Sequence, residues 1–246
     1  MSEREQKIAV VTGASSGIGA ATARALATDG WYVIAAARRY ERVAALAEEI
    51  GGQACRLDVT DEESVLGLAR CVAERGGCDL LVNNAGGARG LDPVIEADIE
   101  KWRWMYEVNV LGTLRVSNAL HEALAASPHG GLVVNIGSVA GLNPYPGGAG
   151  YNAAKFGLRA LTRVQRIEEA SATPEGLRVT QIDPGRVHTE EFSLNRFDGD
   201  AARAAAVYEG VLSLSAEDIA EAVRWVASLP AHVNVDHLHL MPKDQA

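Results

Sequence analysis

The amino-acid sequence predicts an α/β fold: a single domain over residues 1–246, built as a doubly wound parallel sheet of about seven strands with helices on both faces. Three observations predict it. Short runs rich in Val, Ile and Leu alternate with longer segments of helical character. Those runs are continuously apolar, so each strand is buried on both faces, as in a parallel sheet covered above and below by helices. No linker, composition break or low-complexity tract interrupts the alternation.

In chain order, strands are expected at 8–11, 32–36, 54–57, 80–82, 132–136, 178–182 and, more weakly, 237–240. Helices are expected at 20–28, 40–50, 62–74, 98–125, 152–170 and 216–228. At 48% hydrophobic and 22% charged, the chain has enough apolar residues for one large core. The net charge of −9, with arginines scattered among acids, argues against a nucleic-acid partner. No apolar run approaches the roughly 18 residues of a membrane span, and residues 1–7 are too polar for a signal peptide. Cys55, Cys71 and Cys78 are odd in number and lack metal-ligand spacing, so buried thiols in a reducing, cytoplasmic compartment are expected.

The first strand runs into Thr12-Gly13-Ala14-Ser15-Ser16-Gly17-Ile18-Gly19 and then an Ala-rich helix. Glycines there let backbone N–H groups approach a pyrophosphate, and the helix N-terminus favours the anion. No Lys follows the last glycine, which disfavours an NTPase loop. The second strand ends in Arg38-Arg39, where an acid about 20 residues past the glycines would hold the ribose hydroxyls of NAD. A guanidinium pair suits the 2′-phosphate of NADP instead. Asp58-Val59 closes the third strand, with adenine recognition and a turn-capping role both open for the acid. In Asn83-Asn84-Ala85-Gly86, side-chain amides can tie strand ends together while the small residues leave room for a ribose. Asn109, a poor helix-interior residue, points to a kink or a held water within 98–125.

The chemistry concentrates between Ser138 and Lys155. Tyr151 and Lys155 are four apart, which in a helix puts both on one face. An ammonium beside a phenol favours the phenolate and makes the tyrosine a usable acid/base; the competing reading is a solvated helix face. Ser138 follows an apolar strand, so its hydroxyl belongs at the strand end. Further on, Asp183-Pro184-Gly185-Arg186-Val187-His188-Thr189 breaks the sixth strand at the edge where ligands bind in such sheets, and 190–203 has the mixed character of a substrate lid. Asp236, His237 and His239 lack a dependable third metal ligand, so no metal site is expected and the tail reads as a solvent or subunit face.

Taken together, T-G-A-S-S-G-I-G, N-N-A-G, Asn109, Ser138, Y-N-A-A-K and P-G-R-V-H-T resemble the short-chain dehydrogenase/reductase family over nearly the whole chain. The resemblance implies a Rossmann-like single-domain oxidoreductase that transfers hydride between NADP and a small alcohol or carbonyl, assembled as a dimer or tetramer. It implies Tyr151 as acid/base, Lys155 as its modulator and a ribose ligand, Ser138 on the substrate oxygen, and Asn109 holding a relay water. Cofactor contacts would come from Gly13, Ser15, Ser16, Gly17, Ile18, Gly19, Arg38, Arg39, Asp58, Val59, Asn84, Ala85 and Gly86. Tyr151, Lys155, Pro184, Gly185, Val187 and Thr189 would complete them.

A narrower resemblance, in A-A-A-R-R-Y-E-R, T-E-E-F-S-L-N-R-F-D-G-D and L-P-A-H-V-N-V, is to the NADP-dependent 3-hydroxy acid dehydrogenases. It implies serine, allo-threonine or a similar 3-hydroxy acid as substrate. The chain departs from that subgroup in a longer segment at 168–176 and in R-V-H-T. An acid substrate needs a nearby cation, for which Arg186 is the candidate; a solvent-facing loop arginine is the alternative. Reduction of uncharged ketones or aldehydes is the second reading of the function, and a non-catalytic NADP-binding regulator the remote one.

Overall fold

The computed structural model describes residues 6–172 and 176–245. Its centre is a seven-stranded, wholly parallel sheet. The strands are β1 (Ile8–Thr12), β2 (Tyr32–Ala37), β3 (Gln53–Arg56), β4 (Leu80–Asn83), β5 (Leu132–Ile136), β6 (Arg178–Pro184) and β7 (His237–Leu240). They lie in the order β3-β2-β1-β4-β5-β6-β7. The chain therefore winds outward in one direction from β1, then reverses and winds outward from β4. The crevice at that reversal is where a doubly wound sheet binds ligands.

The sequence-predicted strands agree with these to within a residue or two. The sixth runs on through Pro184, because Gly185 N–H pairs with Leu240 O at 2.7 Å and extends the ladder to the edge strand. One face of the sheet is covered by α1 (Gly17–Thr28), α2 (Tyr40–Ile50) and α9 (Ala216–Ser228). Their Leu26, Val43 and Val223 share a core with Val11, Val33 and Val82. On the other face, α3 (Glu62–Arg75) and α5 (Gly112–Ala125) bring Leu68, Val72 and Leu120 against Val10, Ile34 and Leu81. Cutting a buried leucine such as Leu120 to alanine would cost about 2–5 kcal/mol.

The long helix expected at 98–125 divides into α4 (Ile99–Tyr106) and α5, joined by a π turn at Glu107–Leu111. Asn109 sits in that turn. The remaining helices are α6 (Ala149–Ser171), α7 (Phe192–Arg196) and α8 (Ala201–Ala206). The last two occupy the segment read as a lid. Of the unusual stretch at 168–176, residues 173–175 lie outside the described ones. Within it Glu169 is buried, its carboxylate taken by His121 at 2.8 Å and by Leu177 N–H at 3.0 Å.

Candidate active site

A cavity of about 740 Å³ opens along the C-terminal edge of the strands. Its floor is sewn at the β1–β4 crevice. Thr12 Oγ1 accepts the N–H groups of Asn84 and Ala85, both at 3.0 Å, and donates to Val82 O at 3.3 Å. Asn84 Nδ2 donates to Thr12 O at 2.9 Å, and Asn83 Nδ2 ties to Asn135 Oδ1 at 2.9 Å. The amide side chains thus knit strand ends, as their positions in the sequence suggested. Among the described residues, every expected cofactor contact lines the cavity except Gly19. A Cβ on Gly19 would stand 2.5 Å from Gly13 O, so this glycine permits close packing of α1 under the turn and does not face the cavity. Gly13 and Gly17 have φ of +65° and +51°, which favours glycine at both.

At one end of the cavity stand Ser138, Tyr151 and Lys155. Ser138 caps a 3₁₀ turn, its Oγ accepting Ala140 N–H at 3.1 Å. Tyr151 and Lys155 lie in the opening turns of α6, both buried, with Lys155 Nζ 5.7 Å from the Tyr151 ring centre. Lys155 Nζ donates to Ile136 O at 2.9 Å, which fixes the ammonium against β5. Burial pushes the Tyr151 phenol well above its ordinary value, and Tyr145 adds to this. A hydrogen bond with Ser138 and the charge of Arg196 pull the other way. Burial also brings Lys155 down to about 8, against the opposing charge of Asp183. The expected lowering of the phenol by Lys155 is therefore corrected: in the protein by itself burial raises it, and what opposes burial is the Ser138 hydrogen bond and the Arg196 charge.

Beneath this end lies a residue that sequence reasoning treated only as part of a strand break. Asp183 is fully buried and accepts Ser138 N–H at 2.8 Å, Gln181 Nε2 at 2.8 and 2.9 Å, and pairs with His237 Nε2 at 2.7 Å. Its carboxylate lies so close to Gly137 that a Cβ there would fall 1.7 Å from Oδ1. His237, weighed for a metal site, instead reaches inward to this acid. No metal-binding group of three or more His, Cys, Asp or Glu side chains occurs among the described residues.

Asn109 is buried and lies off the cavity wall. Its Nδ2 donates to Met105 O at 2.7 Å and Gly87 O at 2.9 Å, and its Oδ1 accepts Gly87 N–H at 3.2 Å. Its observed work is to hold the strand-end glycines in place, which the π turn makes possible by opening the helix ladder around it.

The far end of the cavity is a cationic rim. Arg38 makes no hydrogen bond or ion pair among the described residues and lines the cavity. Arg39 grips the Glu191 carboxylate bidentately, Nη1–Oε1 at 2.6 Å and Nη2–Oε2 at 2.7 Å, and donates to Ser15 Oγ at 2.7 Å. Arg42 adds a contact to Oε1 at 2.5 Å and Ser16 Oγ one to Oε2 at 2.8 Å. Arg39 above all, with Ser16 and Arg42, holds the Glu191 carboxyl down at about 2. Neither Glu191 nor Arg42 was singled out from sequence. Asp58 gives Oδ1 to Thr60 N–H at 3.0 Å and Thr60 Oγ1 at 2.8 Å, leaving Oδ2 for a ligand. The cavity volume, the close-packed glycine turn and this donor set fit a phosphorylated dinucleotide.

Over the Tyr151 end lies α7. Phe192 meets Tyr151 edge to face at 5.7 Å, and Arg196, one turn further, lies over Tyr145 at 5.5 Å from the ring centre. Arg196 Nε donates to Gly90 O at 2.9 Å, while its Nη2 is buried with no partner. Arg186, the candidate for a substrate carboxylate beside the reading as a loop arginine, is engaged elsewhere: Nε and Nη2 donate to Leu212 O at 3.1 and 2.7 Å, and Nη2 faces Asp244 at 3.6 Å. The cation over this end that keeps a buried nitrogen without a partner is Arg196, legible in sequence only as one polar residue of the lid.

A family model described as short chain dehydrogenase matches residues 7–196. The chain is 53% identical over 241 residues to an oxidoreductase of Mycobacterium tuberculosis, covering 98% of this chain and 93% of that protein. It is 39% identical over 242 residues to the NADP-dependent 3-hydroxy acid dehydrogenase YdfG of Shigella flexneri, covering 97% and 96%. Among solved structures, a closed form of serine dehydrogenase complexed with NADP+ superposes with a TM-score of 0.91 at 38% identity, covering 97% of this chain and 96% of that one.

Proposed function

The chain belongs to the short chain dehydrogenase family, and from that premise we propose that it is an NADP-dependent oxidoreductase acting on a small 3-hydroxy acid of the serine or allo-threonine type. The observation that carries this is the meeting, on one cavity wall, of Ser138, Tyr151 and Lys155 under a guanidinium whose Nη2 has no partner. When bound, the nicotinamide supplies or accepts the hydride. Tyr151 exchanges the proton at the substrate oxygen, with Ser138 Oγ hydrogen-bonding that oxygen. Protonated Lys155, the predominant form below about 8, favours the phenolate by its charge. Arg196 takes the substrate carboxylate, and Phe192 keeps water from Tyr151. The YdfG and serine dehydrogenase likenesses support this substrate class.

The test is a spectrophotometric panel of NADP+ and NAD+ against L-serine, allo-threonine and uncharged alcohols. Turnover with the hydroxy acids, and an Arg196→Ala variant whose KM for them rises on the order of 10–100-fold, is expected for loss of a charge-assisted hydrogen bond. Turnover confined to uncharged substrates would replace this reading by a carbonyl reductase. The apolar Phe192 and Val207 in the cavity wall favour that second reading.

Assembly as a cytoplasmic homo-oligomer, dimer or tetramer, completes the proposal. Phe156, Val164 and Ile167 stand exposed along α6, an apolar strip that a second copy would cover. The three free cysteines accord with a reducing compartment. Sedimentation as a monomer, or recovery outside the cytosol on fractionation, would remove the respective part.

A further inference from the structure

We propose that Glu191 is an internal competitor for the 2′-phosphate of the cofactor, and that its displacement couples cofactor recognition to the substrate lid. The inference rests on the NADP reading above. The Glu191 carboxylate receives the two Nη atoms of Arg39, Nη1 of Arg42 and Oγ of Ser16. Two guanidiniums and a serine hydroxyl are a donor set suited to a phosphate dianion, and a carboxylate now fills it. Glu191 is separated from Arg39 by 152 residues and stands directly before α7. Phe192, its neighbour, is the ring against Tyr151, and Arg196 is five residues on.

An anion that engages Arg39 at the rim must share it with Glu191 or expel it, even where the free Arg38 also contributes. A ribose 2′-hydroxyl carries no charge with which to compete; a phosphate at neutral pH carries nearly two. Expulsion leaves the N-terminal end of α7 without its ion pairs. The anchors beyond it remain: Arg196 Nε donates to Gly90 O and Gly90 N–H to Arg196 O, both at 2.9 Å, and Asp198 pairs with Arg89 and Lys101, both at 3.1 Å. The lid then pivots on the 196–198 end and not on Glu191. In the free protein Glu191 keeps the arginines compensated and the lid down; with the 2′-phosphate in place the lid is released at one end.

The test uses adenosine 2′,5′-bisphosphate, which carries the 2′-phosphate but no nicotinamide, titrated calorimetrically into the full chain and into Glu191→Gln. The variant should bind it about tenfold tighter, while NAD+ affinity stays unchanged. Hydrogen exchange of the 191–196 amides should rise on adding the probe to the native chain and be already fast in the variant. Equal or weaker binding by Glu191→Gln, with the native chain still binding the probe, would overturn the inference and leave the NADP reading intact. A native chain that binds the probe no better than 5′-AMP would overturn both.

Discussion

The two ends of the cavity are built in opposite ways. At the Tyr151 end the chemistry is buried and tied to the sheet edge: Lys155 Nζ by Ile136 O, Ser138 Oγ by Ala140 N–H, and Ser138 N–H by the buried Asp183 carboxylate. At the Arg39 end the arginines are long, half-exposed side chains, held by a carboxylate from the lid and by the hydroxyls of Ser15 and Ser16. The first arrangement leaves a side chain little freedom, because the packed sheet edge determines where it points. The second is decided by which anion is present. Chemistry that must be pre-organised is thus placed on strands and a helix, and recognition that must yield to a ligand is placed on the rim.

The largest break of this comparison comes at the buried end. Tyr151→Phe should lower turnover by about 10²–10⁴-fold, while cofactor affinity measured by fluorescence stays within about twofold. Retained turnover would remove Tyr151 as the acid/base. At the rim, Arg38→Asp should lower the preference for NADP+ over NAD+ by about tenfold or more, since it replaces a charge-assisted contact with a repulsive one. An unchanged ratio of Kd values would assign the 2′-phosphate to Arg39 and Arg42 alone.

The smallest expected effect is on stability. Arg39, Ser16 and Arg42 hold the folded-state carboxyl of Glu191 at about 2, below its ordinary value of 4.5. Its contribution is therefore present above about 4.5 and is lost as pH falls towards about 2. The difference in Tm between the native chain and Glu191→Gln should narrow over that window. The effect is modest because Arg39 and Arg42 are largely exposed. A difference independent of pH would mean that Glu191 stabilises by packing and not by charge.

Much of the buried end was legible in sequence because its constraints are local. The apolar runs specify strands buried on both faces, and the four-residue spacing of Tyr151 and Lys155 specifies a shared helix face. A polar Asn in the middle of 98–125 signals a disturbed helix, and the π turn at Glu107–Leu111 is that disturbance. The motif position of Gly19 says only that a side chain is excluded. The excluding atoms are Asn84 Nδ2 and Gly13 O, each 2.5 Å from where a Cβ would stand. Arg186 was open between two readings for a similar reason: adjacency to the Pro-Gly break places it near the site, but does not say that its guanidinium turns to Leu212 O.

By itself, then, the sequence determined the sheet, the crevice, and the placing of Ser138 at a strand end and of Tyr151 and Lys155 on one helix, because periodicity and strand-end position are local properties of a chain. Only the tertiary structure decided that Asp183 and His237 lie beneath them, that Arg196 and not Arg186 has an unpartnered buried nitrogen, and that Glu191 fills the arginine rim. Those pairings join residues tens to more than a hundred positions apart. Their partners are chosen by how the lid and the edge strand fold back over the sheet, and no local pattern carries that information.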